Sequence, residues 1–462
     1  MRAFTRDRHF YGRFFQLTFS IALQNVLVFT VNFADNIMLG RYSEPSMAGV
    51  SLVNQIQFLL QMLVMGVGEG LLVLAARYWG ERRIEPIRRL TTIGLWLGGG
   101  IGLLMFGAAF CFPEQLLSLL TSEPAALAEG VKYLRIICFS YVFFGITNIL
   151  IASLRSVESV AIAFVVSTST LLVNVGLNYI LIFGHFGAPR LGVRGAAIAT
   201  LTARIIETGI MVVYTRFADR KIHFRLRHLF HFDRKLFGDF IRVGSPVFFS
   251  NAIWGLAMAV QTAILGHMAA RYPSIISANG IATTVFQFLT VVLYGSASAT
   301  TVLIGKTIGE GRREDAKQYA VTLQLLYLLI GGATGLLLFC LRDPILQFYT
   351  VSDAAKSLAR QFMTVLSITV VGTAYQMPAL TGIVRGGGET NFVLYNDMIF
   401  MWLIVLPSSA LAAFVFHLSP LVVFICLKSD QILKCFVAVV KVNRFRWIRD
   451  FAGKPKAEKQ LS

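Results

Sequence analysis

A carboxylate stands inside the first long apolar stretch of this chain. Asp35 lies in SIALQNVLVFTVNFADNIMLG, residues 20–40, about 7 Å of helix from Gly40. An ionised acid among apolar neighbours is unfavourable unless it faces a cavity, a cation or a partner. Asp35 is therefore a candidate for holding a proton or a cation. Snorkelling to the outer headgroups, or capping a neighbouring helix, is the structural alternative. Asn32, one turn earlier, could orient it or add a ligand. Glu69 is a second interior acid, roughly 16 Å of helix from Gly80. It suits either a cleft wall that attracts cations or a pairing with a basic group. Asn174 and Asn178 are four residues apart and share one helix face, fit to build a site or to hold helices together. Arg204 with Glu207, and Asp430 with Lys434, have the spacing of internally neutralised pairs.

The residue types of an enzyme site are not gathered anywhere. The seven histidines are scattered. The nearest group, His223, His228 and His231, has only Asp233 beside it, a poor ligand set for a metal. No Gly-x-x-x-x-Gly-Lys-Ser/Thr motif occurs, which argues against direct ATP drive. No His and acid cluster suited to general-base chemistry is visible. The five cysteines show no paired spacing and suit small apolar positions. No catalytic residue, cofactor or structural metal is expected.

The elements that carry these residues follow from composition. Of 462 residues, 56% are hydrophobic and only 14% charged, against about 25% charged in soluble domains. Mean hydropathy is +0.67. Apolar runs of spanning length fall near 14–39, 47–76, 91–112, 131–154, 160–184, 192–215, 240–266, 275–305, 320–341, 358–384, 392–416 and 418–441. Each needs about 20 residues to cross the hydrocarbon, and open sheets are excluded there. The expectation is an all-α membrane protein of twelve transmembrane helices. A tail over 1–13, a first lobe over 14–215, a basic linker over 216–239, a second lobe over 240–441 and a tail over 442–462 complete the plan.

The net charge of +18 does not call for nucleic acid. With both termini inside, 30 of the 42 Lys and Arg fall on inside segments, as cytoplasmic loops require. The location expected is the plasma (inner) membrane. The linker reads as an orientation signal, with anionic lipid headgroups as the other candidate partner.

The chain also repeats itself. An offset of 226 matches Asn25 with Asn251, Leu39-Gly40 with Leu265-Gly266, and Asp35 with Gln261. An offset of 229 matches Gly80 with Gly309, Arg77 with Lys306, and Glu69 with Ser298. Six spans return the chain to its starting side, so the halves form a parallel repeat about an axis along the membrane normal. Both mismatches place the acid in the first half, and interior acidity is expected to concentrate there. A cleft between two such lobes can open to one side at a time.

Several segments together resemble the multidrug and toxic compound extrusion (MATE) family. They are Asp35-Asn-Ile-Met-Leu-Gly40; Gly80 before a basic loop; Asn174-Val-Gly-Leu-Asn178 followed by Phe183-Gly184; Leu191-Gly-Val-Arg-Gly-Ala-Ala197; Val384-Arg-Gly-Gly-Gly-Glu-Thr390; and Trp402 with Pro407. The resemblance implies two six-helix lobes in a V and export of organic, often cationic or amphipathic, compounds by antiport with sodium ions or protons. It implies coupling at Asp35 together with Asn174 and Asn178. Two amide oxygens and a carboxylate make a hard oxygen environment for sodium or for a hydrogen-bonded protonated acid. The pattern departs from the family in three places. Asn178 replaces an acid seen in some members, Ser20 replaces a proline, and Gln376 stands near where one branch has an acid. Glu69, Gln261 and Gln376 are candidates for the substrate cleft. Small organic molecules and membrane lipids are the expected partners of a monomer. The runner-up reading keeps the fold and moves a lipid-linked or metabolite cargo.

Overall fold

The structure is a computed structural model, and it describes residues 4–120, 124–230, 233–349 and 351–449. Among the described residues it is helical, with no strand. Ten helices among the described residues are long and apolar enough to cross a membrane. They are α1 (Arg8–Tyr42), α2 (Glu44–Gly80), α3 (Ile84–Cys111), α5 (Ala161–Phe183), α6 (Val193–Ala218), α7 (Arg234–Met268), α8 (Ile275–Gly309), α9 (Arg313–Gln347), α10 (Asp353–Val384) and α11 (Thr390–Val415). The fourth crossing, α4, is a pair, Pro124–Ile137 and Ser140–Ser156, bent by 56°. The last, α12, is broken into Pro420–Leu427 and Asp430–Asn443. The twelve expected spans are thus all helical. Most helices overrun their apolar runs by a turn or two, because helix continues into the polar flanks once the span is nucleated.

The side chains face the wrong way for water. Along α9, Leu329 and Leu336 are among the most exposed residues, while Gly331, Thr334 and Gly335 are buried. Small residues inward and leucines outward is the pattern of helices packed in lipid, where close backbone approach rather than hydrophobic collapse holds them.

The chain divides into two compact units. The first comprises residues 19–75 and 84–233; the second comprises residues 4–18, 76–83 and 234–449. Residues 216–233 of the linker therefore fold with the first half, residues 234–239 open α7 in the second, and the first residues fold with the second. In the first unit α5 packs along α6, and α3 along the second arm of α4. Its core joins Leu39, Val53, Leu60, Tyr141 and Ile182. In the second unit α10 packs on α9 and α8. Phe362 and Phe424 stack there at 4.0 Å between ring centroids.

The ends of the chain are built into the second unit. Thr5 N donates to Thr322 Oγ1 at 3.0 Å, and Tyr319 Oη to Asp7 Oδ2 at 2.9 Å. Beyond α12, Trp447 is fully buried against Gly387, where a Cβ would collide with its indole. The expected tails thus begin as packed segments.

The repeat has a physical expression. A Cβ on Gly80 would strike the carbonyl oxygen of Lys306, and one on Gly309 would strike that of Arg77. These are four of the residues that the offset of 229 matches. The contact between the ends of α2 and α8 is reciprocal, and only glycine fits on either side.

Candidate functional site

Five helices of the first unit converge on Asp35. It is half-buried on α1 and lines a cavity of about 20 Å³ with Asn32 of α1, Asn54 and Gln57 of α2, and Tyr133 of α4. Thr170 and Asn174 of α5, and Thr200 and Arg204 of α6, close it. Asn174 and Asn178 are fully buried, as their shared helix face allows.

A chain of amides ties α1 to α6. Asn178 Nδ2 donates to Asp35 Oδ1 and, at 3.0 Å, to Asn174 Oδ1. Asn174 Nδ2 donates in turn to Thr200 Oγ1 at 3.0 Å. Both Asn178 hydrogens are thereby used. Its Oδ1 is buried and accepts no hydrogen bond among the described residues. An idle buried carbonyl oxygen beside a carboxylate is unfavourable unless a donor or cation arrives.

Arg204 adds a charge that spacing alone assigned elsewhere. Arg204 Nη1 donates to Glu207 Oε2 at 2.7 Å, so the expected pair forms. Its guanidinium also reaches the Asp35 cavity. Asp35, Arg204 and Glu207 carry formal charges that sum to −1, which one monovalent cation would neutralise. A volume near 20 Å³ has room for one water-sized occupant.

The other candidates lie apart. Glu69 is half-buried on α2. It sits in the electrostatic field of Arg155 at the end of α4, whose Nη2 donates to Gln24 Oε1 at 3.2 Å. Gln261 is only 5% exposed, inside the second unit. Its Nε2 contacts Met401 Sδ at 3.3 Å, and its Oε1 accepts from Lys428 Nζ at 3.2 Å. Gln376 is half-buried in the last third of α10. His231 lies outside the described residues. No group of three or more His, Cys, Asp or Glu could hold a metal among the described residues.

Interior acidity is not confined to the first half, and that expectation is corrected. Lys434 Nζ lies 2.9 Å from Asp397 Oδ1 and 3.6 Å from Asp430 Oδ2. Ser250 Oγ donates to the other Asp397 oxygen at 2.6 Å. Asp397 escaped notice because it stands at the mouth of an apolar run and looked like a boundary residue. Lys428 falls within the expected span 418–441, and the structure places it at the break in α12. The one signal for both was a charge within two turns of uninterrupted apolar sequence.

Helices of spanning length, packed through small residues and outwardly apolar, define a multi-pass membrane protein. Its two helical units, whose sequences repeat one another, have the architecture of a membrane transporter. The MatE family profile matches residues 20–180 and 246–411, and the chain belongs to that family. The "Probable multidrug resistance protein NorM" of Thermotoga maritima is 25% identical over 426 residues, covering 92% of this chain and 90% of that protein. The "Uncharacterized transporter YisQ" of Bacillus subtilis is 25% identical over 409 residues, 85% of each. Among solved structures, the crystal structure of the eukaryotic MATE transporter AtDTX14 has a TM-score of 0.84 at 16% identity, covering 95% of this chain and 97% of that one. A MOP superfamily transporter from Pyrococcus furiosus has a TM-score of 0.85 at 20% identity, covering 95% and 96%. The relatives are transporters, and the fold is theirs.

Proposed function

We propose that this protein exports small organic compounds, cationic or amphipathic, from the cell by antiport with one monovalent cation, a proton or a sodium ion, bound at Asp35. The termini lie in the cytoplasm and the plasma membrane is its location, as the distribution of Lys and Arg favours. Export of xenobiotics is supported by the names of relatives such as the Thermotoga NorM protein.

The observation that carries the coupling role is the site's size and charge. A cavity near 20 Å³ beside three charges summing to −1 matches one small cation and nothing larger. Asn174 and Asn178 hold the carboxylate in place, and the idle Asn178 Oδ1 supplies a further oxygen. Asn32 stands at the exposed side of the same cavity. Glu69, Gln261 and Gln376 are left as candidates for substrate contact. Cation binding drives export only if the cation and the substrate prefer different conformations, so that each displaces the other.

The test is substrate efflux from proteoliposomes under an imposed sodium gradient and, separately, an imposed pH gradient. Asp35→Asn keeps the shape and removes the charge. It is expected to abolish gradient-driven efflux while the protein still elutes as a folded species. Normal gradient-driven efflux by that variant would sink the assignment, and wild-type efflux under neither gradient would sink antiport.

A further inference from the structure

The first unit carries a second cavity, far from Asp35 in sequence and opposite in charge. The segment after α6 folds back onto the start of α3. Between them lies an open cleft of about 300 Å³, lined by Arg88 of α3 and by His223, Arg225, Arg227 and His228 of the linker. Among the described residues no acidic side chain lines it. The volume falls at the lower end of ligand pockets. We propose that this cleft binds a phosphate-bearing anion, a phosphate mono- or diester, such as the headgroup of an anionic phospholipid.

The cleft is constructed rather than a chance meeting of surface charges. Asp219, 5% exposed, accepts backbone N–H bonds from Lys221, Ile222 and His223 at 3.1, 3.0 and 3.0 Å. Lys221 Nζ clamps the turn to the carbonyls of Val157 and Glu158 at 2.7 and 3.2 Å. Ile222 and Phe224 are buried as apolar anchors. Between them His223 adopts a left-handed φ of 51°, a conformation that a non-glycine residue holds only when its surroundings impose it. Arg88 Nε donates to Ile222 O at 2.7 Å and Thr92 Oγ1 to His228 O at 3.1 Å. Three guanidinium-bearing residues are thus brought to one opening by fixed backbone.

The chemistry selects phosphate. Guanidinium forks donate paired hydrogen bonds that match phosphate oxygens. Glu85 lies 3.3 Å from Arg88 Nη1 and is itself exposed. His228 Nδ1 accepts from Arg225 N at 2.9 Å, which leaves Nε2 to carry the ring proton. Burial and the neighbouring Arg88 hold this imidazole below its ordinary pKa, so it offers a neutral donor beside the arginines. Trp96, 61% exposed, donates its indole N–H to Leu229 O at 3.0 Å. An indole with its polar end on the linker and its ring outward is the arrangement of an interfacial anchor. The cleft therefore opens where lipid phosphates lie.

The test uses the full-length protein purified in detergent with phosphatidylglycerol, and native mass spectrometry to count retained lipid. The unaltered protein is expected to retain one phosphatidylglycerol in preference to phosphatidylcholine. Arg225→Gln/Arg227→Gln is expected to bind it about tenfold or more weakly, the loss of charge-assisted hydrogen bonds. Arg216→Gln, in the same basic stretch but outside the cleft, is expected to bind as the unaltered protein does. Displacement of the lipid by millimolar inorganic phosphate would identify free phosphate as an equal occupant, and retention against it would identify the lipid. Equal lipid binding by the double variant, or equal weakening by Arg216→Gln, would overturn the site. None of these readouts requires the protein to transport, so the result is separate from the fate of Asp35.

Discussion

Asp35 and Gln261 occupy matched positions, and their partners explain why one is an acid and the other an amide. Asp35 faces a small cavity with room for a mobile cation. Gln261 Oε1 already accepts from the ammonium of Lys428, a cation that cannot leave. Elsewhere in the second unit Lys434 sits between Asp397 and Asp430, with 4% of its side chain exposed. Breaking a buried ion group by removing one member strands the rest and costs about 3–5 kcal/mol. Lys434→Met is therefore expected to lower the thermal midpoint by many degrees in detergent, read by tryptophan fluorescence or size-exclusion after heating. Adding Asp397→Asn should recover a good part of that loss; if it recovers none, Asp397 is not the principal partner. At this scale Asp35, Asn174 and Asn178 were legible, because a polar residue deep in an apolar run stands out. Arg204 beside Asp35 was not, since its i,i+3 acid offered a complete explanation from spacing alone.

Helix existence was legible in the length of each apolar run, but helix shape was not. The bend in α4 falls at Cys138 and Phe139, where neither proline nor glycine marks it, so nothing local announces a kink. The break in α12 at Lys428 and Ser429 has a polar signature, yet the run reads as one span on average hydropathy. The glycines at the ends of α2 and α8 were visible as a repeat, and only the structure gives the reason. Each meets the carbonyl of the other's matched basic residue, and backbone cannot yield as a side chain can. Gly309→Ala is expected to destabilise by about 1–3 kcal/mol through overpacking, seen as a lower thermal midpoint. Gly332→Ala on α9, where a Cβ would meet nothing within 4 Å, should leave stability unchanged or raise it, as alanine favours helix. Equal effects of the two changes would mean that helix propensity, not the crossing, governs Gly309.

At the scale of the whole molecule, charge decides how the protein responds to the membrane potential. The 30 of 42 basic residues expected on inside segments bear on orientation and say nothing about coupling. Coupling, on the function proposed above, rests on the Asp35 site. Asp35, Arg204 and Glu207 sum to −1, and the cavity admits one small occupant, so one monovalent cation should enter for each substrate that leaves. Export of a singly charged organic cation then moves no net charge. Export of a neutral amphipath carries one positive charge inward, worth about 2.3 kcal/mol per 100 mV. In proteoliposomes with a potassium-imposed, inside-negative potential, neutral substrate should leave faster and the monocation should leave at an unchanged rate, at a fixed chemical gradient of the coupling ion. Potential-driven acceleration of the monocation would require a second entering charge. The Asp397, Asp430 and Lys434 group of the second unit, the remaining buried cluster of acids described above, would then be the place to look for it. An unchanged rate for the neutral substrate together with slower exit of the monocation would instead mean that no net cation enters, and the −1 site would have to be satisfied by something other than the coupling ion.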